Sequence, residues 1–210
     1  MSDHWSTGRI ASFSDGVFAI AITLLVLDLA VPASAFDHLW HGIAHEWPSY
    51  LAYVTSFVTI GGLWMAHHGI FRLMQYADAT VMRINLVFLM AVSFLPFPTG
   101  LMAAAIRDTK AERAAVVFYG LTLLAISILL RMLCQAILRR PDLLDADMSV
   151  EEIKAASATG APNIGFYVGV VALALLLPKV AVFGYLVIAI VAVWRARGDE
   201  PWKHRLARVA

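Results

Sequence analysis

The chain has little cysteine and little charge for its 210 residues. Its one cysteine, Cys134, excludes an intramolecular disulfide, and we interpret it as a small buried hydrophobic side chain. Charged residues make up only 15% of the chain, against about 25% in soluble domains, and 60% of its residues are hydrophobic. The net charge of +1 and the lack of a basic tract exclude a surface that binds nucleic acid through its phosphates. Composition therefore predicts an integral membrane protein.

Two other signatures are missing. The N-terminal residues have no basic region leading to a small-residue cleavage site, so we expect the first hydrophobic segment to be retained. No nucleophile is spaced with a general base, and no set of residues has the spacing of metal ligands. We therefore expect neither an enzyme nor a cofactor.

Long segments without Asp, Glu, Lys or Arg predict the membrane spans. A spanning helix needs roughly 20 mostly apolar residues. One helix over 164–194 would be about 46 Å long, which exceeds the hydrocarbon core, so we divide it at Pro178 and Lys179. The prediction is an all-α integral membrane protein with a single transmembrane domain, 1–210. Its six spans are expected at about 9–31, 47–71, 82–106, 113–138, 162–177 and 179–195.

The basic residues predict the orientation. With an inner N-terminus and six spans, Arg107, Lys110, Arg113 and Lys179 lie outside, and the other 12 of the 16 Lys and Arg residues (16 − 4) lie inside or at the inner boundary. We therefore expect a multi-pass protein of the cell membrane with both termini in the cytoplasm. The segment 139–160 becomes a cytoplasmic loop and 196–210 a basic cytoplasmic tail.

Polar residues inside the spans are costly and usually face the protein interior. The first span begins with Arg9, Phe13, Ser14 and Asp15, and it reaches full length only if Asp15 lies within it. Arg9 and Phe13 share a helix face, whereas Asp15 lies on a different one. We expect the partner of Asp15 to lie on another helix.

The second and third spans carry candidate partners. Trp64, His67 and His68 lie on one face of the second span, and Asn85 lies on the third. Two adjacent histidines suggest a metal site, but the usual helical motif separates them by four residues. We favour a hydrogen-bonded cluster in which a histidine or the Trp64 indole donates to the first span.

The third span contains Pro96 and Pro98, which remove backbone donors and break helical geometry. We interpret the segment from Ser93 to Thr99 as a kinked helix end near the outer surface.

Ile20, Thr23, Leu24 and Leu27 form one stripe of the first span, because they are spaced at i, i+3, i+4 and i+7. Such a stripe is typical of helix packing, of lipid contact or of a pore lining. The periodicity alone does not decide between them.

The first span also carries a resemblance. The run from Arg9 through Phe13, Ser14 and Asp15 to Leu27 resembles the signature of the transmembrane protein 175 family. The element around Trp64, His67 and His68, together with Asn85 and the segment 93–99, is similar to that family as well. The resemblance covers the first three spans well and the last three mainly by their number.

This resemblance implies a potassium channel without the usual pore loop, and nothing in the chain matches the carbonyl filter of ordinary potassium channels. Family members of this size have six spans and assemble as tetramers, with the first span lining the pore. A homotetramer in the lipid bilayer that passes potassium and other monovalent cations is therefore expected. By position, Ile20, Leu24 and Leu27 would form the constriction and Thr23 would contribute to ion selectivity. The structural polar network would comprise Arg9, Phe13, Ser14, Asp15, Trp64, His67, His68 and Asn85.

A second functional class remains an alternative to a potassium channel. Asp15, His67 and His68 could serve a proton-coupled secondary transporter or a proton-leak pathway. Transporters usually show internal repeats and helices broken near the midplane. Neither is clear in this sequence.

Overall fold

Apolar helices make up nearly all of the structure, a computed structural model that describes residues 5–30, 32–106, 111–145 and 164–198. The α-helices are α1 Thr7–Leu24, α2 Leu39–His45, α3 Trp47–Phe71, α4 Ala79–Phe94, α5 Pro96–Ala105, α6 Glu112–Leu138, α7 Ile164–Leu176 and α8 Pro178–Gly198. Short 3-10 helices cover Leu25–Asp28, Ala33–His38 and Pro141–Leu143, and two short strands, β1 Trp5–Ser6 and β2 Tyr76–Ala77, pair antiparallel.

The predicted all-α membrane class is confirmed, but the count of six spans is not. Four helical segments in the described residues are long and apolar enough to cross a membrane: Thr7–Asp28, Ala79–Ala105, Glu112–Leu138 and Pro178–Arg195. Helix α3 has 25 residues, among them Ser, Thr, Trp and His side chains, and it is not one of those four. Helix α7 has 13 residues, which is about 20 Å and less than the hydrocarbon core.

Helix α1 lies at the edge of the bundle. It packs against α3 and α4, while α3 also packs on α5 and α8, and α6 packs on α4, α5 and α7. The hydrophobic core therefore lies among α3 to α8, and α1 covers only one side of it.

The two prolines break the third predicted span without ending it. Helix α4 ends at Phe94, Leu95 follows, and α5 begins at Pro96 and continues for ten residues. The helix is interrupted at the predicted position, but it continues beyond the prolines, so the segment is not the end of the span. A helix can restart because proline is tolerated in its first turn, where its missing N–H has no partner to lose.

Helices α7 and α8 fold back on each other at Leu177. A Cβ atom added at Gly184 would lie 3.0 Å from Val170, and both residues are seven positions from Leu177 (177 − 170 and 184 − 177). Against α6, the ring of Tyr185 occupies the space that a side chain at Gly120 would fill, and its hydroxyl donates to the carbonyl of Val116 at 3.3 Å.

The start of α1, the segment after α3 and the turn after α6 are tied together at one end of the bundle. Strand β1 pairs with β2, and Thr7 Oγ1 donates to the carbonyl of Gln75 at 2.9 Å. The amide of Asp145 donates to the carbonyl of Leu73 at 2.9 Å. Of the predicted loop 139–160 and tail 196–210, residues 146–160 and 199–210 lie outside the described residues.

Candidate functional site

Helix α1 has two faces that differ in burial. Ser14, Phe18, Ala21 and Leu25 are spaced at i, i+4, i+7 and i+11, and all four are buried. Helix α1 packs on α3 and α4, and the 3-10 helix that begins at Leu25 packs on α3 and α5. This spacing is the apolar stripe by which an amphipathic helix packs onto a core. The Ser14 hydroxyl is the one polar group in it.

The second face of α1 is apolar but uncovered. Ile20 is 61% exposed, Leu24 40% and Leu27 73%. We name these three residues the Ile20 stripe. Exposed apolar side chains in a row on one helix mark a surface that contacts lipid, another chain or a narrow passage.

Thr23 borders the Ile20 stripe and is also exposed. Its hydroxyl donates within its own helix, and the carbonyls of Ala19 and Ile20 lie 3.0 and 2.9 Å away. Because the hydrogen is used in this way, the oxygen lone pairs remain free to accept or to coordinate.

A directed chain of hydrogen bonds joins α1, α3 and α4. The Asn85 Oδ1 atom lies 2.9 Å from His67 Nε2, and the Asn85 Nδ2 atom donates to Ser14 Oγ at 3.1 Å. Ser14 Oγ in turn donates to the carbonyl of Ile10 at 2.9 Å. Because Oδ1 can only accept, His67 carries its proton on Nε2. We name this set the Ser14–Asn85–His67 chain.

His67 lies deep inside the subunit. It is 1% exposed, and its ring stacks on Phe71 at a centroid distance of 4.2 Å and on Phe88 at 5.5 Å. Phe18 of α1 contacts the same ring at 5.5 Å. The histidine therefore packs in the core through the faces of its ring, and its Nε2 atom is hydrogen-bonded to Asn85.

Asp15 forms a separate contact with α3. The indole Nε1 of Trp64 donates to Asp15 Oδ1 at 2.8 Å, and the Trp64 ring also contacts His68 at 5.7 Å. This pair borders a cavity of about 330 Å³ between α1 and α3, which is also lined by Phe18, Ala19, Ile22 and Gly61. The cavity opens at the surface of the subunit.

Arg9 and Phe13 are not brought into these contacts. Both are exposed, and in the residues that the structure describes neither has a hydrogen bond or an ion pair with the Ser14–Asn85–His67 chain or with Asp15. At 100° per residue they lie on the same side of α1 as Ile20. Helix geometry thus divides the eight residues that were predicted to form one polar network.

Three features of the site are not evident from the sequence reasoning. Helix α3 leaves a stripe uncovered, and its residues recur with alternate spacings of four and three: Tyr50, Val54, Phe57, Gly61, Trp64 and His68. A hydroxyl cluster joins Ser56 to Thr99 at 2.8 Å and to Tyr119 at 2.9 Å. The heptad spacing of the α3 stripe was a readable signal, whereas the hydroxyl cluster joins residues up to 63 positions apart.

Asp28 gives the third feature. Its carboxylate lies over Gly100 of α5, where an added Cβ would be 2.8 Å from Asp28 Oδ2. The end of the first span therefore contacts α5 through a position that only glycine can occupy without displacement. No sequence spacing links these two residues.

Metal ligation has no support in the part of the chain that the structure describes. No group of three or more His, Cys, Asp or Glu residues there could hold a metal ion. His67 faces Asn85, and the adjacent His68 is exposed beside Trp64.

The fold and the site together define an all-helical, multi-pass membrane protein whose first helix leaves an apolar face uncovered. Residues 9–96 match the family model described as endosomal/lysosomal potassium channel TMEM175. A potassium channel of Streptomyces collinus is 42% identical over 140 residues, which are 66% of this chain and 68% of that relative. The chain belongs to the TMEM175 family.

A solved structure and a vertebrate relative extend the comparison. The crystal structure described as a lysosomal potassium-selective channel TMEM175 homolog from Chamaesiphon minutus matches with a TM-score of 0.80 and 36% identity, over 90% of this chain and 97% of that one. The endosomal/lysosomal proton channel TMEM175 of Danio rerio is 37% identical over 124 residues, which are 55% of this chain and 24% of that relative.

Proposed function

We propose that this chain is a subunit of a potassium-permeable cation channel whose passage is lined by α1. The observation that carries this proposal is the Ile20 stripe, three large apolar side chains in a row on a face that the subunit's own fold leaves uncovered. The family model described as endosomal/lysosomal potassium channel TMEM175 matches residues 9–96, a range that includes most of that helix. We propose no cofactor, with potassium as the permeant ion.

The Ile20 stripe would act by raising the free energy of a hydrated ion inside the passage. Helical carbonyls are used within the helix, so α1 presents only side chains to a passage, and an apolar ring gates by dewetting. Potassium loses its water more easily than sodium, so a constriction of this kind favours potassium modestly. The free lone pairs of Thr23 would partly replace the lost water beside Ile20 and Leu24.

One copy of α1 cannot enclose a passage, so the proposal requires several copies. We propose a homotetramer in which four α1 helices surround the axis, as the family resemblance implies. The uncovered α3 stripe supports contact between neighbouring copies, because its alternate spacings of four and three are those of a helix seam. Gly61 lies in the middle of that stripe and borders the cavity between α1 and α3.

Replacing Gly61 with leucine is expected to dissociate the tetramer. A Cβ atom added at Gly61 meets no atom within 4 Å in its own subunit, and the cavity that Gly61 borders has room for the rest of the side chain, so we expect the steric effect to come from a neighbouring copy. The measurement is the protein mass from light scattering after size-exclusion chromatography, corrected for detergent. Gly165→Leu is the matched control, because Gly165 on α7 is equally open. A Gly61→Leu protein that keeps the wild-type mass would contradict this interface.

The Ser14–Asn85–His67 chain and the Asp15–Trp64 bond would have a structural role. They connect α1 to α3 and α4 beside the Ile20 stripe. Their function in the channel would be to hold that stripe at a constant distance from the axis. Arg9, Phe13 and His68, which are exposed, would contribute to this network only through neighbouring copies.

We propose that the protein lies in the cell membrane with both termini in the cytoplasm. The start of α4 and the end of α6 lie at one end of the bundle, joined by Asp78 and Arg140. Near the C-terminal end of α8, Val193 contacts the position of Gly62, in the half of α3 that runs toward this end. That end carries Arg72, Arg139 and Arg195 and would face the cytoplasm. The proposal keeps the span limits predicted from the sequence, with the loop 139–160 and the tail 196–210 in the cytoplasm.

The experiment that tests conduction is a reversal-potential measurement on purified protein in planar bilayers. We expect unitary currents whose reversal potential moves toward the potassium equilibrium potential when a potassium gradient replaces symmetrical solutions. Flux that saturates at the turnover of a carrier, without unitary currents, would refute the channel.

The proton alternative is separable in the same experiment. A transporter or proton-leak pathway through Asp15, His67 and His68 would need the three groups in one connected route, but His67 is buried among aromatic rings and hydrogen-bonded to Asn85. The zebrafish relative is named a proton channel, so a pH gradient at constant potassium is the matching test. A reversal potential that follows pH instead of potassium would favour this alternative.

A further inference from the structure

A second cavity lies between the start of α4 and the end of α6, remote from the Ile20 stripe. Its volume is about 320 Å³. Ile84, Met132 and Ala136 form an apolar floor, and Thr80, Arg139 and Arg140 lie at a polar rim. We name it the α4–α6 cavity.

The rim is organised by Arg140. The guanidinium of Arg140 forms an ion pair with Asp78, and its Nη2 atom donates to Thr80 Oγ1 at 3.3 Å. Asp78 also accepts from the amide of Val81 at 2.9 Å, which caps α4. These contacts hold Arg140 in place and offset its charge.

Arg139 carries the net positive charge of the rim. It is exposed, and among the described residues its guanidinium has no ion pair and no side-chain hydrogen bond. Asp78 already pairs with Arg140, and Asp142 in the next turn does not line the cavity. An anion at the rim would therefore meet the unpaired guanidinium of Arg139 and the guanidinium of Arg140, which Asp78 and Thr80 hold in place.

The cavity lies at the depth where hydrocarbon gives way to headgroups. Arg139 directly follows the span Glu112–Leu138, and Thr80 is the second residue of the span Ala79–Ala105. The floor residues lie one to two turns deeper. A charged rim above an apolar floor at this depth has the two-part chemistry of a phospholipid, and basic pockets between spans on the cytoplasmic side bind anionic headgroups.

We propose that the α4–α6 cavity binds one anionic phospholipid per subunit, with its phosphate at Arg139 and Arg140 and an acyl chain along Ile84, Met132 and Ala136. The unpaired charge of Arg139 is what favours an anionic over a zwitterionic headgroup. The proposal depends on the membrane depth of the two helix ends and is independent of ion conduction.

The test is native mass spectrometry of the full-length protein titrated with phosphatidylglycerol or phosphatidylcholine of identical acyl chains. The wild-type protein is expected to bind one phosphatidylglycerol per subunit in preference to phosphatidylcholine. Arg139→Gln is expected to weaken phosphatidylglycerol binding about fivefold, the contribution of one basic residue near an anionic headgroup. Ala136→Phe, which fills the floor and keeps every charge, is expected to weaken both lipids.

Arg83→Gln is the matched control, because Arg83 is exposed on α4 but does not line the cavity. Equal losses in Arg83→Gln and Arg139→Gln would overturn the proposal in favour of diffuse attraction. Competition by inorganic phosphate alone would show a free-anion site and overturn it as well. If Arg139→Gln lowers the unfolding temperature without lipid, the test of the site is Ala136→Phe. Unchanged phosphatidylglycerol binding by Ala136→Phe would refute the site.

Discussion

Replacing Leu24 with asparagine is expected to raise potassium conductance about tenfold, which corresponds to a barrier lowered by about 1.4 kcal/mol. Asparagine has the same branching at Cγ as leucine, but it is smaller and carries an amide that can hydrogen-bond to water and ions. In a passage lined by the Ile20 stripe, this change replaces a dewetted ring by a hydrated one. Leu24 is 40% exposed in the subunit, so its replacement leaves the subunit core intact. The measurement is single-channel conductance in planar bilayers.

The control for this prediction is Leu86→Asn, the same chemical change at an exposed position of α4. Its conductance is expected to equal that of the wild-type protein, because α4 does not contribute to the Ile20 stripe. If Leu24→Asn assembles normally and conducts like the wild-type protein, the stripe is a packing or lipid-facing surface. An increase in both variants would point to a general effect on the membrane instead of on the passage.

Replacing Asn85 with leucine is expected to lower the free energy of unfolding by about 2–3 kcal/mol. Leucine keeps the branching of asparagine at Cγ but is larger, so the loss combines the two hydrogen bonds that Asn85 makes to His67 and Ser14 with the strain of a bulkier side chain at a buried position. The His67 N–H would be left buried without its acceptor, whereas Ser14 keeps its bond to Ile10. Bonds between spans contribute about 0.6–2 kcal/mol each, and the estimate lies within the range expected for two of them. Denaturant titration in detergent, followed by tryptophan fluorescence, measures the change.

A second substitution separates the hydrogen bonds from packing. His67 lies among Phe18, Phe71 and Phe88, so phenylalanine, a planar ring of somewhat larger size, suits the same aromatic surroundings. Since removing both partners of a buried hydrogen bond costs less than removing one, the double variant His67→Phe, Asn85→Leu is expected to be more stable than Asn85→Leu alone. Strictly additive losses would mean that the Ser14–Asn85–His67 chain does not stabilise the fold. Ser93→Ala, which removes an exposed hydroxyl on the same helix, is the near-neutral control.

The predicted contacts of the first span illustrate what helix spacing can and cannot decide. Because successive residues turn by 100°, the sequence separates Asp15 from Arg9 and Phe13, and it predicts that Asp15 bonds to another helix. The structure gives Trp64 as that partner. Spacing could not choose among Trp64, His67, His68 and Asn85, since this choice depends on how α1, α3 and α4 rotate against one another.

The break in the third span is a second example of what the sequence can predict and what depends on packing. Pro96 and Pro98 remove two backbone donors wherever the helix lies, so a break there follows from the covalent structure. Whether the chain leaves the membrane or continues depends on packing. Thr99, buried in the hydroxyl cluster with Ser56, lies beyond the break, and its α5 helix packs on α3 and α6.

The sequence by itself determined that this is a helical membrane protein, that Asp15 lies within its first span and that Ile20, Leu24 and Leu27 share one face. These properties follow from composition and from the 3.6-residue period of a single helix, and they need no neighbour. Only the tertiary structure decided which face of α1 is covered, that His67 bonds to Asn85 in the core, and that Gly61 and the α4–α6 cavity are open. These features arise where side chains from distant segments meet, and their positions depend on helix rotation and depth that no local pattern specifies.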